Sequence, residues 1–162
     1  MEVLTPKSFP PIFDANSRLL ILGTMPSVKS REVGFYYSHP QNRFWRVLAA
    51  SLMKPLPQTV EEKTQLLLMH KIALWDVLES CEITGSADVS IREPVYNDVA
   101  ELINKTQIEK ILCNGTKAYK LCLNIKLPLP VAYMPSTSPA NAVWSLEKLI
   151  MKWKSEVPPC SI

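Results

Sequence analysis

Apolar positions along this chain fall into short unbroken runs separated by stretches of helical period. Arg18 to Thr24 (R-L-L-I-L-G-T) is a continuous apolar run ending on glycine, the pattern of a strand buried on both faces. Lys110 to Thr116 (K-I-L-C-N-G-T) repeats it. Ile72 to Val77 (I-A-L-W-D-V) and Leu129 to Met134 (L-P-V-A-Y-M) supply two more strands, and Pro130 moves the last of them toward a sheet edge. The segments between them read as helices. Pro40 suits a first helical position ahead of Trp45, Leu48, Ala49 and Leu52, spaced i, i+3, i+4 and i+7. Thr59 with Glu62 makes a capping box that leads into Leu66, Leu67 and Met69. Asn97 suits the cap of a helix through Leu102 and Ile103, and Gly115 opens one containing Ala118, Leu121 and Cys122. Ser138 and Pro139 start the last helix, whose stripe is Val143, Leu146, Leu149, Ile150 and Trp153.

Strands alternating with helices predict an α/β fold, a right-handed sandwich on a parallel sheet of four strands, with ligand chemistry at the carboxyl ends of those strands. The 162 residues suit one domain over the whole chain, and no repeat, low-complexity tract or linker divides it. Proline outnumbers glycine, 14 to 4, and concentrates in the connections, so the loops are expected to be stiff.

Composition narrows the class. With 47% hydrophobic and 20% charged residues, the chain matches a globular protein rather than a disordered or fibrous one. Its longest apolar runs fall well short of the roughly 20 residues that a membrane span needs. Met1 to Pro11 carries charges and three prolines but no apolar core like that of a signal peptide, so a cytoplasmic location is expected. Cys81, Cys113, Cys122 and Cys160 leave 31, 8 and 37 residues between them, which fits no C-x-x-C spacing. Buried reduced thiols are therefore the expectation, and no metal site is. Net charge is only +3, yet it is distributed as +4 over residues 1–58, −6 over 59–102 and +5 over 103–162. Two basic segments flank an acidic one, an arrangement that either tracks a phosphate backbone or is a scatter of solvated lysines.

Three loops leave strand ends with unusual composition. The first runs from Gly23-Thr24-Met25-Pro26-Ser27 into Gly34-Phe35-Tyr36-Tyr37-Ser38-His39-Pro40-Gln41-Asn42-Arg43-Phe44-Trp45. The second is Asn114-Gly115-Thr116-Lys117, and the third is Met134-Pro135-Ser136-Thr137-Ser138-Pro139-Ala140-Asn141. The glycine-rich dinucleotide and triphosphate fingerprints are absent, as is the G-x-S-x-G elbow of a serine hydrolase. Aromatic, amide and small hydroxyl groups dominate instead, and these suit stacking on a base, reading its edge and holding phosphates.

The runs G-T-M-P-S, G-F-Y-Y-S-H-P-Q-N-R-F-W, N-G-T-K-A-Y and M-P-S-T-S-P-A-N-A resemble the uracil-DNA glycosylase superfamily, specifically its hypoxanthine-DNA glycosylase branch. The mismatch-specific uracil glycosylases are the nearest other branch, through H-P-x-N-R-F-W. The resemblance covers about Arg18 to Trp153 and implies a three-layer α/β sandwich with a central four-stranded, mainly parallel sheet. It implies an enzyme of base excision repair that flips a deaminated nucleotide out of DNA and hydrolyses its N-glycosidic bond, acting as a monomer without metal or cofactor.

The resemblance also assigns residues. Where uracil-specific branches carry an Asp or Asn in the first motif, this chain has Met25; where they carry His or Asn in the second, it has Met134. The hypoxanthine branch is similar in both respects and relies on the Asn of H-P-x-N-R-F-W, here Asn42, to orient the attacking water. On spacing alone Asn42 is more readily a brace for its own turn, and it is the resemblance that favours the catalytic role. Tyr37 stands where relatives stack a ring on the flipped base. Gly23, Thr24, Met25, His39 and Met134 complete the expected base pocket, although a histidine before proline also suits a structural cap. Ser27, Lys29, Ser136, Thr137, Ser138 and Pro139 are expected along the DNA, with Ser138 and Pro139 near the place where relatives insert a wedge. His70 and Lys117 are read as surface groups, and Asp88 as a carboxylate in a loop. With only Lys29 and Lys117 in the motifs, hydrolysis is expected rather than Schiff-base lyase chemistry. The alternatives are a mismatch-specific uracil glycosylase and a non-catalytic module that binds lesions.

Overall fold

The computed structural model describes residues 8–82 and 92–157, with backbone only at 81, 82, 92 and 93. Asp88 and Cys160 lie outside the described residues, as does the side chain of Cys81. The element order is β1 (Leu19–Gly23), α1 (Val28–Val33), α2 (Phe44–Ser51), α3 (Val60–Met69), β2 (Ile72–Asp76), β3 (Leu78–Glu82), β4 (Arg92–Tyr96), α4 (Val99–Asn104), β5 (Lys110–Asn114), α5 (Thr116–Asn124), β6 (Val131–Met134) and α6 (Leu146–Lys154). Strands β2, β1, β5 and β6 form one parallel sheet in that order, so all four apolar runs are strands of it and the run after Pro130 is at an edge.

Both faces of the sheet are covered, which is why its strands read as continuous rather than alternating apolar sequence. Ile21, Ile72, Leu74, Leu112 and Met134 pack on one side with Phe44, Trp45 and Leu48 of α2, Leu66 and Leu67 of α3, and Leu149 and Trp153 of α6. Leu20, Leu22, Ala73, Ile111 and Cys113 pack on the other with Leu78 of β3, Val99 and Leu102 of α4, and Ala118, Leu121 and Cys122 of α5. Helices, sheet and helices make three layers. Cys113 and Cys122 are buried free thiols in the second cluster. No helix among the described residues is long and apolar enough to cross a membrane.

Two segments escape the apolar pattern. The antiparallel pair β3–β4 forms a small second sheet, and α1 is a helix of only 6 residues. Three helix starts also differ from expectation. Pro40 lies in a turn, and α2 begins at Phe44 because Asn42 Oδ1, 2.9 Å from the Phe44 N–H, closes an Asx turn ahead of it. The cap of α4 is Asp98, which accepts from Glu101 N, while Asn97 turns inward to donate to the Asp76 carbonyl at 2.8 Å. The last helix starts at Leu146, capped by Ser145, not at Ser138. Arg43 explains the delay. Its guanidinium donates to the carbonyls of Trp144 (2.6 Å), Ser138 (3.1 Å) and Asn141 (3.1 Å), so the chain ahead of α6 is held as turns. Val143, assigned to the buried stripe by spacing, is 88% exposed. The expected starts at Thr59, with its complete capping box, and at Gly115 are as the sequence predicts.

Candidate active site

The four parallel strands end level with one another. Gly23 pairs with Asp76, Asn114 pairs with Met134, and Leu22 pairs with Cys113, so Asp76, Gly23, Asn114 and Met134 form a row across the carboxyl edge of the sheet. Neighbouring members of such a row stand about 4.8 Å apart. The segment from Phe35 to Phe44 reaches this row through Tyr37.

Tyr37 is the centre of that segment. Its backbone is left-handed, φ 51°, which costs a bulky residue free energy and persists only where the surroundings enforce it. The ring stacks on Phe44 at 4.1 Å with 19° between planes, so Phe44 covers one face. The hydroxyl reaches down over Gly23: a β-carbon there would stand 2.7 Å from Tyr37 Oη and 2.6 Å from Asp76 Oδ1. Only glycine leaves room for both groups. The Tyr37 hydroxyl is buried and lacks a hydrogen-bond partner among the described residues. Burial, and then the nearby Asp76 carboxylate, push its pKa well above the usual tyrosine value; the Asn114 amide opposes them, but both ends of that amide are committed to Thr137. Tyr36 beside it is buried, donates to the Pro10 carbonyl at 2.8 Å, and is raised by burial first and Asp76 second.

The other polar centre is a chain of three side chains. Asn42 Oδ1 accepts from the Thr137 hydroxyl at 2.9 Å as well as from Phe44 N–H. Thr137 Oγ1 accepts from Asn114 Nδ2 at 3.0 Å, and Thr137 N–H donates to Asn114 Oδ1 at 3.1 Å. Arg43 N–H donates to the Thr137 carbonyl at 3.0 Å, which ties the two long motifs together through backbone as well. Asn42 is half-buried, and its Nδ2 has no protein partner among the described residues.

The remaining residues singled out by the sequence are distributed as follows. Met134 is fully buried in the first cluster, while Met25 packs against the cluster on the opposite face, so the two methionines are not brought together. Thr24 is buried beside Gly23. His39 Nδ1 accepts from Gln41 N–H at 3.1 Å, a structural use within its own turn. Ser27 caps α1 by accepting from Ser30 N–H, and Lys29 pairs with Glu32 at 3.8 Å between exposed side chains, a contact of little energetic weight. Thr137, expected along the DNA, is fully buried and turned toward Asn42. Ser136 accepts from Ser138 N–H and abuts Gly115, whose φ of 100° and close approach both call for glycine. Ser138 accepts from Ala140 N–H, and Pro139 is exposed. Because α6 starts at Leu146, its N-terminal amides are not behind Ser136 to Ser138. His70 closes α3, with Nδ1 2.8 Å from the Leu66 carbonyl. Asp76 is the member of the site that sequence reasoning missed. Its signal was a lone carboxylate ending an apolar run, and it is 3% exposed.

Comparison with known proteins places the fold and the family. The profile of the uracil DNA glycosylase superfamily matches residues 10–156. A Methanosarcina acetivorans protein named hypoxanthine DNA glycosylase is 34% identical over 143 residues, 86% of this chain and 90% of its own. One of the same name from Methanosarcina barkeri is 32% identical over 114 residues, 69% of this chain and 72% of its own. The solution NMR structure of a Methanosarcina acetivorans protein, assigned by name to the uracil DNA glycosylases, superposes with a TM-score of 0.83 at 30% identity, covering 94% of this chain and 96% of that one. With a parallel sheet carrying its polar groups along the carboxyl edge and a profile match over nearly its whole length, the chain belongs to the uracil DNA glycosylase superfamily.

Proposed function

We propose that this protein is a monofunctional DNA glycosylase that removes hypoxanthine from deoxyinosine in DNA, as the names of its two Methanosarcina relatives describe for those proteins. The observation that carries the reading is the Asn42 amide, whose oxygen is engaged inside the protein and whose Nδ2 has no protein partner among the described residues, beside the strand ends. An amide in that position orients a water without needing to deprotonate it, which suffices when the sugar becomes cationic as the bond to the base breaks. The water oxygen bonds to C1′ and the C1′–N9 bond breaks. Its electron pair leaves with the base, and the water proton ends on hypoxanthine or in solvent. The half-buried Tyr37 ring, covered on one face by Phe44, offers its other face to the flipped base, a contact worth roughly 1 to 3 kcal/mol. Ser27, Lys29 and the loop of Ser136, Ser138 and Pro139 line the route of the DNA strand. No lysine shares the row at the strand ends or the Asn42 network, in keeping with hydrolysis rather than a Schiff base.

The test incubates the purified protein with matched duplexes carrying one deoxyinosine, one uracil or neither, followed by alkaline cleavage, with Asn42→Ala alongside. Cleavage at deoxyinosine that the variant loses is the expected result. Cleavage at uracil alone moves the protein to the mismatch-directed uracil glycosylases, and tight lesion binding without any abasic product makes it a binding module.

A further inference from the structure

The hydrogen bonds around Asn42 fix the direction of every proton in them. Two backbone N–H groups, which can only donate, set the pattern. Thr137 N–H meets Asn114 at 3.1 Å, so the atom it meets is the amide oxygen and the other end of Asn114 is the NH2. That NH2 donates to Thr137 Oγ1 at 3.0 Å, leaving the hydroxyl proton to go elsewhere. It goes to Asn42, 2.9 Å away. Phe44 N–H donates to the same Asn42 atom at 2.9 Å, which identifies it independently as the oxygen. Asn42 is thereby held with its acceptor turned into the protein and only its donor left over.

We propose that Thr137 and Asn114 are positioning residues for the glycosidic step, which lock Asn42 as a hydrogen-bond donor toward the flipped nucleotide and its water. The proposal rests on the glycosylase reading above. Asn42 then takes no proton from water. It donates to the water oxygen or to the base, where negative charge gathers as the C1′–N9 bond breaks, and a preorganised donor facing developing charge is the kind of group whose loss costs most. Thr137 does this from a fully buried position without touching substrate.

The experiment measures single-turnover cleavage of a deoxyinosine duplex, and binding to the same duplex carrying an uncleavable abasic analogue, for wild type, Thr137→Ser, Thr137→Val and Asn114→Asp. Each of the three is also made in the Asn42→Ala background. Thr137→Ser keeps the hydroxyl and is expected within about threefold of wild type. Thr137→Val is expected to slow cleavage about tenfold or more with binding little changed, by the same factor across the pH range since Asn42, Thr137 and Asn114 carry no ionisable group, and to add nothing in Asn42→Ala (roughly one hydrogen bond to a neutral group). Asn114→Asp keeps the acceptor for Thr137 N–H but turns the donor into an acceptor that captures the Thr137 proton, so it is expected to act in the same direction and serves if Thr137→Val does not fold. Wild-type rates in Thr137→Val or, failing that, Asn114→Asp, or effects that multiply with Asn42→Ala, overturn the proposal. A wild-type protein that cleaves no deoxyinosine overturns the glycosylase reading instead.

Discussion

Asp76 Oδ1 lies 2.6 Å from the point at which a β-carbon on Gly23 would stand. The two residues end adjacent parallel strands in direct register, so this spacing is set by the sheet and neither strand can yield alone. Gly23→Ala therefore forces the Asp76 carboxylate and the Tyr37 hydroxyl, 2.7 Å from the same point, to move. A stability loss of about 1 to 3 kcal/mol, the usual range for overpacking, is expected together with a fall in cleavage rate. Thermal unfolding and single-turnover kinetics check it; unchanged values in both would mean that the polar groups above Gly23 move aside freely.

The same carboxylate adds to the effect of burial on how the site responds to alkali. Tyr36 and Tyr37 are both raised above the ordinary tyrosine value, by burial first and Asp76 second. For a group whose folded pKa is raised, the folded state keeps a proton that the unfolded chain gives up. Stability is then complete below the unfolded value near pH 10 and falls as pH rises above it, by about 1.4 kcal/mol per pH unit for each phenol. Of the five tyrosines, two are expected to ionise only as the protein unfolds. Tyrosinate absorbance recorded together with circular dichroism tests this, and Asp76→Asn is expected to ease the restraint on both phenols. Ionisation of all five near pH 10 with the fold intact would contradict it.

Asn42→Asp separates donor from acceptor chemistry. The substitution keeps an oxygen for Phe44 N–H and the Thr137 hydroxyl, so the start of α2 is expected to survive. It replaces the outward NH2 with a second oxygen. If Asn42 works by donating, cleavage falls on the order of 100-fold, the scale for losing one preorganised donor. A rate equal to or above wild type would mean that the water needs an acceptor at this position.

What the sequence revealed and what it hid divide along physical lines. The four parallel strands were legible because burial on both faces leaves unbroken apolar runs, and their ends at Gly23 and Asn114 pointed to the edge that carries the polar groups. Asp76 was not legible as part of the site. A single carboxylate closing such a run looks like a strand end, and only its pairing with a glycine shows that space is kept for it. The β3–β4 pair was hidden because L-E-S-C-E lacks an apolar run, and α1 because six residues carry no period. Thr137 read as a loop hydroxyl for a phosphate, since its partners Asn42 and Asn114 lie 95 and 23 residues away. The start of α6 was misplaced for the same kind of reason: the group that occupies its carbonyls comes from Arg43, 101 residues from Trp144.

That arginine makes the loop ahead of α6 a testable unit. Its three charge-assisted bonds, to the carbonyls of Ser138, Asn141 and Trp144, hold a segment that has no regular structure of its own and carries the exposed Pro139 and Val143. Arg43→Met keeps most of the aliphatic stem and removes all three donors, leaving partly buried carbonyls to find water. Bonds to a charged group contribute about 1.5 to 3 kcal/mol each, less where the carbonyls rehydrate, so a net loss of about 2 to 4 kcal/mol is expected. The loss should be local at first. Amide exchange ought to rise over residues 138–145 before it rises in the sheet, and affinity for a deoxyinosine duplex should fall more than the cleavage rate of the bound complex, because Asn42 keeps its bonds to Phe44 and Thr137. Uniform exchange across the protein with no effect on this segment would show that the loop is held by its own turns, and that Arg43 contributes only to the packing of α2.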